Sequence, residues 1–443
     1  MPPHPRRRYA LVGAGARAGM FLRAITTDHA DVAELVAMAD TNPARPAVHN
    51  ERLERLGVAP VPVYDAADFT EMLKRERVDV VLVATVDRYH DHYVVAALEA
   101  GCDAITEKPM TVDAAGCRRI LDAQLRTGRD VRVTFNYRYN PLHEAVKRVI
   151  ASGEIGEVGS VHFEWLLDVR HGADYFRRWH RDKENSGGLL VHKAGHHFDL
   201  VNWWLDDGPE QVFAAGRLFF YGDQGRRHGY ARDYDRAHGA ATAEGDPFAL
   251  RLADEPAMRE LYLEAEQHDG YHRDRNVFAP GVTIEDDMAV LVRYAGGASM
   301  SYHLTAYAPW EGYRVMCNGS RGRLELEVVE SDHVAPAAAA GVKGEPGAES
   351  TAEQGFKRLL VRPFWAPPRE IAVDGLSRHG HGGADVRMLA DLIRPDAPAD
   401  PLGRTANAVD GASALLTGLA ANESLARGQA IRVQELLDLK DFR

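Results

Sequence analysis

The segment Gly13-Ala-Gly15-Ala-Arg17-Ala18 constrains the fold more than any other in the chain. It follows a short apolar run, Arg8 to Val12, that reads as a buried strand. It opens an apolar-periodic stretch to Ile25 that reads as a helix. A second strand fits Glu34–Ala39, and Asp40 closes it 22 positions after Ala18. Each residue type has its own reason. Gly13 permits a tight turn, Gly15 lets a pyrophosphate approach the backbone, and small Ala18 lets helix and strand pack closely. The N–H groups around Ala16 and Arg17, at the start of the helix, then face an anion. Asp40 is placed to accept hydrogen bonds from an adenosine ribose. Its charge repels a 2′-phosphate, so the expected cofactor is NAD, with NADP the alternative because Arg17 and Arg45 lie close by.

The rest of the first 135 residues repeats the strand–helix alternation. Strands are expected at 61–64, 78–84, 103–106 and 131–135, with helices at 43–56, 66–75, 91–100 and 113–127 between them. That rhythm predicts a doubly wound parallel sheet, a Rossmann domain over 1–135. Beyond residue 136 the rhythm changes. Strands at 158–168, 211–220, 288–295, 298–306, 313–318 and 322–328, several joined by short glycine turns, predict a largely antiparallel open sheet in an α/β domain over 136–380. The fold class is therefore α/β. A polar insertion at 222–282 holds one expected helix near 255–267, and 334–350 reads as a low-complexity loop. Residues 381–443 are expected to supply helices that pack back on the core.

The net charge of −12, from 53 basic and 65 acidic residues, argues against nucleic acid or an anionic membrane as partner. No run reaches the roughly 20 apolar residues of a membrane helix. Arg6-Arg7-Arg8 could imitate a signal sequence, but cleavage after it would destroy the glycine motif. Three cysteines with no paired spacing fit a reducing compartment, so the expected location is cytoplasmic.

Four further segments carry a family likeness: Thr85-Val-Asp87-Arg-Tyr-His90, Glu107-Lys108-Pro109, Asn136-Tyr-Arg138-Tyr-Asn140-Pro141, and Gly187-Gly188 through His192, His196 and Asp199. With the glycine motif they resemble the glucose–fructose oxidoreductase / inositol dehydrogenase (Gfo/Idh/MocA) family. The likeness spans about residues 8–220 and resumes at 283–330 and 400–435. It implies an NAD(P)-dependent oxidoreductase acting on a sugar, cyclitol or glycoside, and a homodimer or homotetramer formed through the open sheet face. It also implies that Gly13, Gly15, Ala16, Arg17, Ala18, Asp40, Arg45, Thr85, Asp87, His90, Glu107, Lys108 and Asn136 surround the cofactor.

Oxidising a secondary alcohol needs a hydride acceptor, a base for the hydroxyl proton and a donor that steadies the alkoxide. The resemblance assigns Lys108 to the reacting hydroxyl and His196 to the base. Spacing i, i+4 places His192 on the same helix face as His196. His192 stands where the family has an aspartate, so its role is open: substrate contact, a share in the proton relay, or leaving Asp199 to orient its neighbours. His192-x-x-x-His196 could also pair on a metal, but hydride transfer needs none and no metal is expected. Arg138, Tyr175, Asp199 and His381 are weaker candidates for substrate contact. Glu285-Asp286-Asp287 reads by default as a solvated acidic turn. The competing reading is an NAD-dependent enzyme that cleaves a glycoside by transient oxidation, elimination and water addition.

Overall fold

The structure is a computed structural model that describes residues 6–334, 355–375 and 380–442, without the side chains of 380–382. The strands of the first half are β1 (Arg7–Val12), β2 (Ala33–Asp40), β3 (Val63–Asp65), β4 (Val80–Val83), β5 (Asp103–Thr106) and β6 (Val131–Val133). Those of the second are β7 (Val158–Asp168), β8 (Pro209–Arg217), β9 (Asp287–Tyr294), β10 (Ser299–Ala308), β11 (Glu311–Gly319), β12 (Gly322–Ser331), β13 (Lys357–Pro363), β14 (Arg369–Glu370), β15 (Ala406–Asn407) and β16 (Ile431–Arg432).

The first sheet runs β15-β6-β5-β4-β1-β2-β3, parallel throughout except where β15 pairs antiparallel with β6. Helices cover both faces, so its central strands are buried on both sides and read as continuous apolar runs; all four residues of β4 are buried. This is the Rossmann sheet expected from the alternation. Its short edge strand β15 comes from more than 270 residues away in sequence, and no local pattern announces it.

The second sheet, β14-β13-β12-β11-β7-β10-β9-β8-β16, is antiparallel except for the β7–β10 pair. One face is buried. On β10, Met300, Tyr302, Leu304 and Ala306 point inward and alternate with polar residues. Strands β13 to β16 were not expected. β13 follows directly after the low-complexity stretch, and β14 to β16 are two-residue strands too short to carry a period-2 signal. The loop expected at 334–350 lies outside the described residues except for Val334.

Six helices position the site: α1 (Ala18–Arg23), α2 (Val169–Arg177), α3 (Leu189–His192), α4 (Ala194–Leu205), α5 (Gly380–Ile393) and α6 (Ala408–Arg427). α6 begins with a capping box between Asn407 and Asp410 and ends at Gly428 in the left-handed region. It packs on β8 and α4, whereas α5 buries Ala384, Met388, Leu389 and Ile393 with Tyr9, Leu11 and Phe21 of the first sheet's layer. The last segment thus ties both sheets together.

The insertion is irregular. In place of one helix near 255–267 there is an α-turn at Pro256–Met258, a π-helical turn at Arg259–Leu263 and another α-turn at Glu266–Asp269. Charged pairs hold it: Arg273, fully buried, grips Asp174 of α2 through two bonds of 2.7 and 3.1 Å, and Arg236 binds Glu266 and Asp274.

Candidate active site

The glycine turn sits at the carboxyl end of β1. Gly13 has φ +89°, and a Cβ there would lie 2.6 Å from the backbone of Ala84 and Thr85, so only glycine fits. At the end of β2, Asp40 accepts the backbone N–H of Ala14 (2.6 Å) and of Asn42 (2.7 Å). Its carboxylate therefore also braces the glycine turn. Burial raises its pKa, while those N–H groups and Arg45 pull it down. Arg45 lies 3.6 Å from Asp40 and 2.6 Å from Asp269 of the insertion. The turn, the carboxylate at the end of β2 and the small side chains at Gly15 and Ala16 suit a dinucleotide.

Several residues expected around the cofactor have other work. Arg17 donates to Glu107 (2.6 Å) and Asp385 (3.3 Å), and Asn136 donates to Asp385 (2.7 Å). Burial disfavours the Arg17 charge, but the two carboxylates hold its pKa above the usual arginine range. Arg17 thus ties the glycine turn to the Glu107 loop and to α5. The His90 ring nitrogens lie against the carbonyl oxygens of Pro109 (2.8 Å) and Thr85 (3.1 Å), and burial lowers its pKa. Thr85 Oγ1 donates to the carbonyl of Val86. His90 and Thr85 therefore fasten the loops after β4 and β5 to each other. Both were expected around the cofactor; the side-chain hydrogen bonds they make run to backbone carbonyls instead.

Where those loops meet α3, three side chains form a hydrogen-bonded chain. His192 Nδ1 lies 2.5 Å from Asp87 Oδ2, and His192 Nε2 lies 3.3 Å from Lys108 Nζ. A carboxylate only accepts, so Nδ1 carries the proton and Nε2 turns its lone pair to Lys108. The lysine also donates to the His192 carbonyl (3.1 Å). Burial raises the Asp87 pKa and lowers that of His192. It also pulls Lys108 down to about 8, against the upward pull of Asp87 and Glu107. Around this chain stand His180, its ring 4.2 Å from His192, and Tyr175, 5.7 Å away and edge-on. His180 stacks on Trp179, and its buried Nδ1 has no hydrogen-bond partner among the described residues.

His192 and His196 do not share one continuous helix face: α3 ends at His192 and α4 starts at Ala194. His196 stacks on Tyr137 at 4.3 Å with Phe135 edge-on. Among the described residues, the set able to gather on a metal ion is Asp87, His180 and His192 rather than the His192–His196 pair. In this structure Asp87 and His192 are bonded to each other, with Lys108 beside them.

Arg138 and Asp199 are corrections too. Arg138 holds both Asp199 oxygens, at 2.8 and 2.6 Å, with side chains only 4% and 1% exposed. Each is consumed by the other, so neither reaches a substrate, and Asp199 does not orient the histidines. Asp286 is fully buried and accepts three backbone N–H groups, from Phe219, Phe220 and Tyr221, so it is a brace for the insertion's entry rather than a solvated turn. His379 and the side chain of His381 lie outside the described residues. Sequence reading missed the Asp87–His192 bond, His180, and Tyr262 and Asp269 of the insertion. The acid stands in the loop after β4 and not on the helix, and only the fold brings the two together.

Residues 7–135 match the model of an oxidoreductase family's NAD-binding Rossmann fold, and 147–340 match that family's C-terminal alpha/beta domain. The Bacillus subtilis (strain 168) protein YteT is 34% identical over 440 residues, 97% of this chain and 98% of its own. The chain belongs to the Gfo/Idh/MocA oxidoreductase family. Another family relative, an inositol 2-dehydrogenase of Klebsiella pneumoniae (strain 342), is 36% identical over 208 residues, 46% of this chain and 56% of its own. The WlbA dehydrogenase of Bordetella pertussis, solved with NADH and UDP-GlcNAcA, shares the fold: TM-score 0.62 at 20% identity over 96% of this chain and 98% of its own. The first domain of this Gfo/Idh/MocA protein is an NAD-binding Rossmann domain, and among the described residues no helix is long and apolar enough to cross a membrane.

Proposed function

We propose that this protein is an NAD-dependent dehydrogenase that oxidises a secondary hydroxyl of a sugar, cyclitol or glycoside. The Asp87–His192–Lys108 chain beside the glycine turn supports that reading. Glycine turn and Asp40 would hold the dinucleotide, whose nicotinamide supplies the hydride acceptor. The chain's own groups handle the proton. Lys108, with a pKa near 8, takes the hydroxyl proton at Nζ in its neutral form. His192 Nε2 accepts a hydrogen bond from the resulting ammonium, and Asp87 fixes the His192 tautomer. Tyr175 and His180 wall the substrate side. This assignment gives Lys108, steadied by His192, the proton-accepting role expected for His196, whose ring is engaged in the aromatic stack. The Asp40 carboxylate favours NAD over NADP.

The proposal keeps the boundaries 1–135, 136–380 and 381–443 and a homodimer or homotetramer through the outer face of the second sheet, where Leu291 and Phe213 are 58% and 42% exposed. A cytoplasmic location is supported by three buried free cysteines. A panel of sugars, cyclitols and glycosides with NAD⁺ tests the activity. NADH accumulating in proportion to oxidised product supports it. Glycoside cleavage without NADH accumulation replaces it with transient oxidation, elimination and water addition.

A further inference from the structure

The insertion does not stand apart from the cofactor domain. The Tyr262 hydroxyl accepts the backbone N–H of Ala16 at 3.0 Å, and a Cβ on Gly15 would meet that hydroxyl at 3.5 Å. This N–H belongs to the turn that receives a pyrophosphate in the dinucleotide-binding pattern. The same segment reaches the ribose end of the site. Asp269 takes the Arg45 guanidinium (2.6 Å), the Ala265 carbonyl accepts from Asn42 Nδ2 (2.9 Å), and Glu260 pairs with Arg52 (2.9 Å). On its far side the segment is anchored through Arg236 to Glu266, and Arg273 lies 5.8 Å over the Tyr262 ring.

We propose that Pro256–Asp269 is a strap forming the outer wall of the dinucleotide site, opening to admit NAD and closing over it so that release of the cofactor is limited by strap opening. The proposal rests on the NAD-binding domain and not on the catalytic reading. Two features carry it. Tyr262 and a pyrophosphate oxygen seek the same Ala16 N–H, so the strap must shift when the dinucleotide enters. The pins hold Arg45 and Arg52, in the first and last turns of the helix Ala44–Arg55 that follows β2, and Arg45 lies 3.6 Å from the Asp40 carboxylate expected at the adenosine ribose. These pins are partly exposed ion pairs, strong enough to bias the strap closed and weak enough to break on the timescale of turnover.

The test uses the full chain loaded with NADH and chased with excess NAD⁺, with release followed by NADH fluorescence in a stopped-flow instrument. Glu260→Ala/Asp269→Ala removes both pins and is expected to speed release about tenfold. Glu99→Ala, which breaks an exposed pair with Arg126 elsewhere in the same domain, is expected to leave release unchanged. Hydrogen–deuterium exchange across 256–271 is expected to slow when NAD⁺ binds. Release from the double variant at the native rate overturns the proposal. So does equal acceleration by Glu99→Ala, or exchange in 256–271 that ignores NAD⁺. Because none of these readouts requires turnover, they stand whether or not Lys108 and His192 act as proposed.

Discussion

Replacing Asp87 by Asn keeps the size of the side chain and removes the charge that fixes His192. The two side chains are only 12% and 4% exposed, so solvent screens the bond little. A hydrogen bond to a charged group is worth about 1.5–3 kcal/mol. At about 1.4 kcal/mol per factor of ten, its loss predicts a fall in kcat of roughly ten- to 150-fold. The pH profile carries a second and more specific signature. Lys108 lies near 8 because burial lowers its pKa while the Asp87 and Glu107 carboxylates raise it. In Asp87→Asn one upward pull is gone, so Lys108 gives up its proton at lower pH. Activity that rises with pH through about 8 in the native enzyme therefore rises earlier in the variant, at a lower plateau. Initial rates from about pH 6 to about pH 9.5, with thermal melts as a control on folding, measure both effects. An unchanged or upward-shifted midpoint, or a kcat within about threefold of native, refutes the assignment of Asp87 and Lys108.

His192→Ala is expected to lower kcat at least about 100-fold, with His196→Ala costing clearly less; a larger loss at His196 in the same steady-state assay returns the base to that residue. Asp40→Ala removes the charge that opposes a 2′-phosphate beside Arg45, and is expected to move the NADP-to-NAD ratio of dissociation constants about tenfold toward NADP, measured by titration. Asp199→Ala leaves the buried Arg138 charge only the more distant Asp410 carboxylate at 3.6 Å, and chemical denaturation should show a stability loss of about 3 kcal/mol, whereas a loss under about 1 kcal/mol contradicts the pairing.

The site was only partly legible in the chain. Gly13 was readable because its turn leaves no room for a Cβ, and Gly15 and Asp40 because they stand at fixed offsets from it in the dinucleotide-binding pattern. Lys108 came from a three-residue motif. Tyr175 was named as a substrate candidate, and it does stand against His192. By contrast, His192 looked like an unexplained departure. Its explanation, Asp87, lies 105 residues earlier in the chain. Arg138 and Asp199 looked available for substrate because nothing in a linear pattern shows that a guanidinium and a carboxylate 61 residues apart have neutralised each other.

The sequence by itself determined the parallel strands β1 to β6, the strands β7 to β12 of the second sheet and the dinucleotide turn. These depend on period-2 and period-3.6 patterning, or on glycine where no Cβ fits, and both are properties of a few consecutive residues. Tertiary structure alone decided which polar side chains meet. It turned His90 and Arg17 into fasteners, made Asp286 a brace, joined Asp87 to His192 and laid Tyr262 over the Ala16 N–H. A buried donor or acceptor must find a partner wherever the fold brings one within about 3 Å, and sequence separation does not enter that requirement.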